Sequence, residues 1–394
     1  MATYTENDRG HGENNTTDHF RDQFKRYKRR RPPPDLSDVI DFDRANDFES
    51  QVEDFKLTEP TGFEKVPEGL IDVRLWKAYQ LRSNPGFLFI SNPFMQGSQR
   101  YWVRRCLRDY PVKPNYTNLD IHLTLTEEDN IWKDDSLESS NPFPKGSLLS
   151  HLRWATLGYH YEWNNRVYFE DKVSEFPSDL SHLTRYVAAA LGYPCFCPQS
   201  GIVNFYNMES TLCGHTDHSE YDKRAPLISY SFGQSAIFLI GGVTKEVCPV
   251  ALYLRSGDIC VMMEEARLAY HAVPRILSAE AHRFTQAFHL PDTRSESAGA
   301  TKHGALKGKT ESRFPSDPVV DSNCDKEGLN NSEVHSNSDK NSEKHDFSSS
   351  VKRDDWERYE HYMKSSRINV NVRQVLQHGQ TFPKQEVETE PISR

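Results

Sequence analysis

Residues 367–373 alternate strictly between polar and apolar side chains. The run reads Arg-Ile-Asn-Val-Asn-Val-Arg, with cations and amides at odd positions and β-branched residues at even ones. Because successive side chains of a strand point to opposite faces, the run predicts a strand with one face on a core and one polar face. That polar face is typical of a cavity wall that binds an anion, although a solvated sheet face would show the same alternation.

Short runs rich in β-branched and aromatic residues precede this strand, at residues 201–206, 226–242 and 251–262. Gly-containing turns separate them, and short strands at such spacing favour a jelly roll, whose two sheets can enclose a ligand. We therefore expect a mainly β protein with flanking helices: a double-stranded β-helix (jelly roll) core with an N-terminal α/β extension.

Helical spacing occurs at both ends of the chain. Phe20, Phe24 and Tyr27 fall on one face of a helix that should begin near Asp18 and end before the prolines at 32–34. Residues 354–363 resume helical periodicity with acids in the first turn, which favours a helix leading into the arginine strand.

Composition shifts divide the chain into six segments. Only 36% of residues are hydrophobic, so part of the chain should be disordered, above all a stretch of Ser, Asn, Asp, Glu, Lys and His at 293–350. The expected segments are a polar tail and basic helical arm (1–35), an N-terminal extension (36–150), a first part of the jelly-roll core (151–292), the disordered insert (293–350), a helix and final strand of the core (351–380) and an acidic tail (381–394).

Charge and cysteine content exclude several classes. The net charge of −9 argues against a generic polyanion binder, and seven cysteines, an odd number without regular spacing, indicate a reducing compartment. The longest apolar runs are shorter than 18 residues, so no membrane span is expected. Residues 1–18 are too polar for a secretory signal and make a poor mitochondrial presequence. We expect a monomer in the nucleus and cytoplasm.

The candidate chemistry starts at His215 and Asp217, which form a His-x-Asp motif, with His271 following later. Two imidazoles and one carboxylate are the protein half of a facial triad for non-haem Fe(II), which leaves metal positions open for a co-substrate and oxygen. A single His-x-Asp also arises by chance in surface turns, so the order of the surrounding motifs decides between the two interpretations.

That order resembles the AlkB family of Fe(II)/2-oxoglutarate dioxygenases. The resemblance covers roughly residues 70–290 and 351–380, and its motifs are modest singly but specific together. They are Asn204-x-Tyr206, His215-x-Asp217, Ser256-Gly-Asp258, His271 and Arg367-x-Asn-x-Asn-x-Arg373.

The resemblance implies that the triad His215, Asp217 and His271 binds Fe(II) and that 2-oxoglutarate and O2 are the co-substrates. By similarity, one group of residues binds 2-oxoglutarate: Arg367 and Tyr206 at its distal carboxylate, Arg373 and Asn204 at the carboxylate nearer the metal, and Asn369 beside them. The family's reaction yields succinate and CO2, and hydroxylation of an N-methyl group releases formaldehyde and the unmethylated base.

The implied substrate is nucleic acid, either tRNA or methylated adenine in unpaired or bulged DNA. Four aromatic residues are substrate-binding candidates by resemblance, and ordinary core packing is the alternative for each: Trp132, Tyr159, His160 and Tyr161. Two basic stretches could bind phosphate, at residues 25–31 and 100–108. The first could equally be a nuclear localisation signal, and a mitochondrial location is possible by resemblance.

One stretch departs from the family. Glu264 and Ala266 stand where glycine and serine are usual before the second histidine, which puts substrate choice or activity in question. Two other functions use the same residues: a 2-oxoglutarate oxygenase acting on a methylated histone or other protein, and a non-catalytic nucleic-acid-binding relic.

Overall fold

The computed structural model describes residues 17–123, 131, 147–291 and 353–383. The described residues all belong to one compact unit. The insert predicted at 293–350 and most of the predicted acidic tail therefore lie outside the described residues.

The described residues form fourteen strands. Their bounds are β1 Val52–Asp54, β2 Lys77–Leu81, β3 Phe87–Ser91, β4 Tyr116–Thr117, β5 Trp154–Glu162, β6 Val167–Val173, β7 Ser200–Asn207, β8 Leu212–His215, β9 Leu227–Gly233, β10 Ser235–Ile240, β11 Val250–Leu254, β12 Ile259–Met262, β13 His271–Leu277 and β14 Ser366–Arg373.

Six α-helices flank the strands in the described part of the chain. They are α1 His19–Lys28, α2 Gln99–Arg104, α3 Leu148–His151, α4 Ser178–Ala190, α5 Ala281–Phe288 and α6 Arg353–Met363. Short 3₁₀ segments include Phe42–Phe48, Val73–Leu75, Asn118–Ile121 and Glu264–Leu268, and one π turn, Arg105–Asp109, continues α2.

Two antiparallel sheets build the core. The larger has the order β1-β2-β3-β12-β9-β14-β7-β5-β4, with β6 on β5, and the smaller has the order β11-β10-β13-β8. The predicted fold class, a mainly β jelly roll with flanking helices, is confirmed. The arginine strand β14 lies inside the larger sheet, paired with β7 on one side and β9 on the other.

The two faces of β14 separate as the alternation predicts. Ile368, Val370 and Val372 are at most 2% exposed and belong to an apolar cluster shared with α4 and α6. Burying an aliphatic side chain of this size is worth about 1.5–3 kcal/mol, which fixes the register of the strand. The polar residues of β14 are consequently held on the opposite face.

Helix α1 begins where the sequence predicts. The Asp18 carboxylate accepts a hydrogen bond from the Arg21 amide at 2.8 Å and so caps the first turn. Phe20 and Tyr27 are buried in a cluster with residues of the smaller sheet. A search of the described residues found no helix whose length and apolar character would let it cross a membrane.

Candidate metal and co-substrate centre

The two candidate histidines face each other across neighbouring strands of the smaller sheet. His215 ends β8, His271 begins β13, and the two are register partners with ring centroids 4.2 Å apart. Asp217 follows two residues after His215. One ligand atom from each of the three residues lies within 4.8 Å of the other two, so the sheet register brings the predicted triad together.

Backbone carbonyls orient both imidazoles. The Nδ1 atom of His215 lies 2.9 Å from the Cys213 carbonyl oxygen, and Nδ1 of His271 lies 3.1 Å from that of Ala269. A carbonyl oxygen can only accept, so each Nδ1 donates and each Nε2 keeps its lone pair. Metal-binding histidines are commonly held by such a bond, which sets the tautomer and the ring direction.

The electrostatics of the triad favour neutral imidazole beside an ionised carboxylate. Burial, reinforced by the neighbouring His215, lowers the pKa of His271 to about 4. Burial alone would raise the pKa of Asp217, but the Arg373 guanidinium beside it outweighs burial and holds that pKa well below its usual range. Two imidazole nitrogens and one carboxylate are a donor set that fits Fe(II) with open positions for other ligands.

Arg367 is a buried cation, 1% exposed, that forms no ion pair with an acid among the described residues. Its Nη1 donates to the carbonyl oxygens of Gln234 and Leu254 at 3.1 and 3.4 Å, and its Nη2 donates to Ser231 Oγ at 2.7 Å. Its buried Nε has no partner in the described structure. Because a buried guanidinium normally faces a carboxylate, this site fits an anionic ligand such as the distal carboxylate of 2-oxoglutarate.

The other predicted co-substrate residues share this polar face. Tyr206 is the register partner of Arg367, and Asn204 that of Asn369. Burial raises the pKa of Tyr206 to about 12, so its hydroxyl stays a donor. The Asn369 amide donates to Ser229 Oγ at 2.7 Å, and the Asn204 amide lies 3.5 Å from Asn369 Oδ1.

Arg373 lies at the triad itself, with Nη2 3.0 Å from Asp217 Oδ1. Its second partner, Glu220, was missed by the sequence reasoning; Arg373 Nη1 donates to Glu220 Oε1 at 2.9 Å. Arg267 donates to Glu220 Oε2 at 2.8 Å and to the Asp217 carbonyl oxygen at 2.6 Å. The available signal was an acid three residues after Asp217, which becomes informative only once the fold places two arginines around it.

The predicted substrate residues do not form one group. The Tyr161 hydroxyl lies 3.2 Å from Ser219 Oγ, in the loop that carries Asp217. Tyr159 contacts Phe382, with ring centroids 5.0 Å apart. His160 is buried, with Nδ1 2.9 Å from Thr156 Oγ1 and its ring against Tyr116. Trp132 lies outside the described residues.

The basic stretch at 100–108 is not the open cationic surface that the sequence indicated. Arg104 is 9% exposed, and Arg105 is bound by Asp109 at 2.7 Å and Asp179 at 2.8 Å. Arg100 lies over the Trp356 ring, and Arg108 binds Asp109. Helix packing and the distant Asp179, which the local sequence does not reveal, bind or bury most of these cations, while Arg108 stays exposed beside its sequence neighbour Asp109.

The stretch at 25–31 keeps more of its charge at the surface. Arg26 is bound to Asp38 at 2.7 Å, and Arg30 to Glu209 at 3.0 Å, but Lys25, Lys28 and Arg29 are exposed. A contact between this stretch and phosphate stays a prediction.

Glu264 adopts a backbone conformation that favours glycine. Its φ of +49° lies in the left-handed region, at the start of the 3₁₀ segment that leads to His271. Its side chain is exposed. The departure from the family pattern therefore introduces backbone strain and an acidic side chain without removing a ligand.

These features define an iron-dependent oxygenase, and comparison with known families agrees. The family model "2OG-Fe(II) oxygenase superfamily" matches residues 86–373, and the chain belongs to this superfamily. Its Fe(II), 2-oxoglutarate and O2 requirement follows from that membership.

Three curated relatives are similar over most of their lengths. The nucleic acid dioxygenase ALKBH1 of Mus musculus is 39% identical over 385 residues, covering 94% of this chain and 87% of the relative. The DNA N(6)-methyladenine demethylase ALKBH1A of Arabidopsis thaliana is 32% identical, covering 66% and 80%. The tRNA demethylase abh1 of Schizosaccharomyces pombe is also 32% identical, covering 66% and 85%. The predicted resemblance to the AlkB family is confirmed.

Proposed function

We propose that the protein oxidatively demethylates bases in nucleic acid, with His215, Asp217 and His271 holding Fe(II). The observation that carries this proposal is the triad geometry: two Nε2 atoms and a carboxylate converge within 4.8 Å. Bound iron would supply the coupling between oxidative decarboxylation of 2-oxoglutarate and hydroxylation of a substrate carbon. The protein's own contribution is placement of the reactants.

Arg367 would bind the distal carboxylate of 2-oxoglutarate through its unused Nε–H, with the Tyr206 hydroxyl as a second donor. Both groups are buried and lie on neighbouring strands, so neither needs to be ordered when the co-substrate binds. Such preorganisation reduces the entropic cost of binding. Asn204 and Asn369 would line the same polar face, and Arg373 would lie nearest the metal.

The substrate class is supported by the relatives, whose names include both DNA and tRNA demethylases. Tyr161 is the predicted aromatic residue that reaches the loop bearing Asp217, and it is half-buried. A base must leave its stack to reach a buried centre, and aromatic faces can then hold it. We therefore expect unpaired bases, in an RNA loop or bulged DNA, to be preferred. The monomeric state and the nuclear, cytoplasmic or mitochondrial location stay predictions.

The test is a panel of methylated stem-loop tRNA, bulged DNA, fully paired duplex and histone peptide, scored for formaldehyde and succinate. Unpaired nucleic acid should react faster than a duplex with the same methyl group, because flipping a paired base costs a few kcal/mol. Asp217→Ala serves as the inactive control. Equal turnover of paired and unpaired substrates would contradict base flipping as the selective step, and turnover of the peptide alone would establish the protein-oxygenase alternative.

A further inference from the structure

Glu220 is a buried carboxylate outside the triad, and both of its oxygens accept hydrogen bonds. It is 1% exposed, and its Oε1 accepts hydrogen bonds from Arg373 at 2.9 Å and from the Tyr168 hydroxyl at 2.9 Å. Its Oε2 accepts one from Arg267 at 2.8 Å. We call Glu220, Arg267, Arg373 and Tyr168 the Glu220 network.

The Glu220 network contacts Asp217 at two points. Arg373 Nη2 lies 3.0 Å from the carboxylate atom Oδ1, and Arg267 Nη1 donates to the Asp217 carbonyl oxygen at 2.6 Å. One contact therefore fixes the side chain of Asp217, and the other fixes its backbone. Both arginines form ion pairs with Glu220, and Arg373 forms a second one with Asp217.

The two oxygens of Asp217 consequently differ. Oδ1 is bound by Arg373 and lies 4.0 Å from His215 Nε2, whereas Oδ2 lies 3.6 Å from His271 Nε2. A carboxylate that bound the metal through both oxygens would occupy one more position. Binding of 2-oxoglutarate through two atoms and of O2 through one needs three open positions beside three protein ligands.

We propose that Glu220 is a positioning residue that holds Arg373 on Oδ1, so that Asp217 binds the metal through Oδ2 alone. This inference rests on the metal centre proposed above. Glu220 does not touch the reactants. It acts by keeping one carboxylate oxygen occupied, which preserves two adjacent metal positions for 2-oxoglutarate.

Removing the charge of Glu220 should disturb both arginines. In Glu220→Gln, one of the two acceptor oxygens becomes an amide NH2 that cannot accept from a guanidinium, so Arg267 or Arg373 loses its partner on this side chain while both stay buried. Arg373 then shifts relative to Asp217, and Oδ1 becomes free to approach the metal. Substitution of groups that orient metal ligands typically costs about 10–100-fold in metal affinity.

The experiment compares wild type, Glu220→Gln and a control, Glu209→Gln, an exposed acid bound to Arg30. Anaerobic titration with Co(II) gives metal affinity, and the visible charge-transfer absorption of the Fe(II) protein with 2-oxoglutarate reports its chelation by two atoms. We expect Glu220→Gln to bind Co(II) about 10–100-fold more weakly and to show a weakened, shifted charge-transfer band at saturating iron. Glu209→Gln should match wild type in both.

The charge-transfer band distinguishes a positioning role of Glu220 from a role in stability alone. Lost stability alone would lower the melting temperature and leave the band of the folded protein unchanged, which would overturn the inference, as would wild-type Co(II) affinity. If Glu220→Gln fails to fold, Tyr168→Phe removes one donor to Glu220 and should give a smaller change in the same direction. No change in Tyr168→Phe would again overturn the inference.

His215→Ala distinguishes the failure of this inference from the failure of the proposed metal centre. If wild type binds Co(II) no better than His215→Ala, the metal centre itself is refuted.

Discussion

Substitution of Arg367 by methionine should separate co-substrate binding from folding. Arg367 is buried, lacks an acidic partner among the described residues and leaves its Nε–H unused. Burial also lowers the pKa of Arg367, against the smaller opposing effects of Tyr206, Cys260 and Asp258. Methionine keeps an unbranched side chain of similar reach and removes the charge, so its effect reports on the charge.

Two opposite effects are expected. Without 2-oxoglutarate, loss of an unpaired buried cation should leave the free energy of unfolding nearly unchanged or raise it, because the desolvation cost disappears. With 2-oxoglutarate, loss of a buried charged partner costs about 2–5 kcal/mol, which corresponds to an affinity at least about 30-fold weaker. Ligand at 100 times its Kd stabilises wild type by about 2.7 kcal/mol, and this stabilisation should largely vanish in Arg367→Met.

The assay is anaerobic calorimetric titration of the metal-loaded protein with 2-oxoglutarate, paired with thermal unfolding with and without it. Arg105→Met is the matched control, since Arg105 is a partly buried arginine already bound by Asp109 and Asp179. It should lose stability and keep its affinity for 2-oxoglutarate. An Arg367→Met variant with wild-type affinity and wild-type ligand stabilisation would refute the assignment of Arg367.

Other expectations follow from the same structure. Asp217→Ala should lose bound iron and all 2-oxoglutarate turnover, because two imidazoles remain; iron retention measured by elemental analysis would contradict this. Charge reversal at Arg105 should leave the salt dependence of nucleic-acid binding unchanged, since Asp109 and Asp179 already bind this cation; a flatter slope would restore it as a phosphate contact. Burial lowers the pKa of His160 from 6.5 to about 4, so stability from neutral His160 is present above pH 6.5 and is lost as pH falls toward 4. His160→Gln should flatten that loss in unfolding curves measured across this window. Replacing residues 293–350 by a short Gly/Ser linker should preserve 2-oxoglutarate turnover, since the triad and arginine strand lie outside them; lost turnover would count against a dispensable insert.

The local sequence pattern was sufficient to predict an element wherever one face of that element is buried. The alternation at 367–373 predicted both faces of β14, and the spacing of Phe20, Phe24 and Tyr27 predicted α1, beginning near Asp18. Apolar periodicity is a direct consequence of burial, so it can be read without knowing the partner. The triad could not be predicted from local pattern alone, because 53 residues of strands and turns lie between Asp217 and His271 and only the ordered set of motifs related them.

The partners of a charged side chain could not be predicted from the local sequence in the same way. Arg105 and Arg367 are both arginines beside aromatic or apolar residues in sequence, yet Asp179 binds the first and no acid among the described residues binds the second. The difference arises from elements far apart in the chain, and a guanidinium has no periodic signature. A basic stretch therefore predicts a phosphate surface only if the fold leaves its cations without internal partners.

Charge balance also explains why a buried site of this kind suits a metal cation together with an anionic co-substrate. Asp217 and Glu220 carry two negative charges against Arg267 and Arg373, so this part of the centre is neutral before metal binds. A metal cation adds positive charge there, and Arg367 adds a further unpaired one on the same sheet. A dianionic co-substrate would compensate both charges, with one carboxylate at the metal and the other at Arg367. A neutral ligand of equal size would leave the metal cation and the Arg367 guanidinium without a counter-charge, so this arrangement would favour 2-oxoglutarate over a neutral analogue.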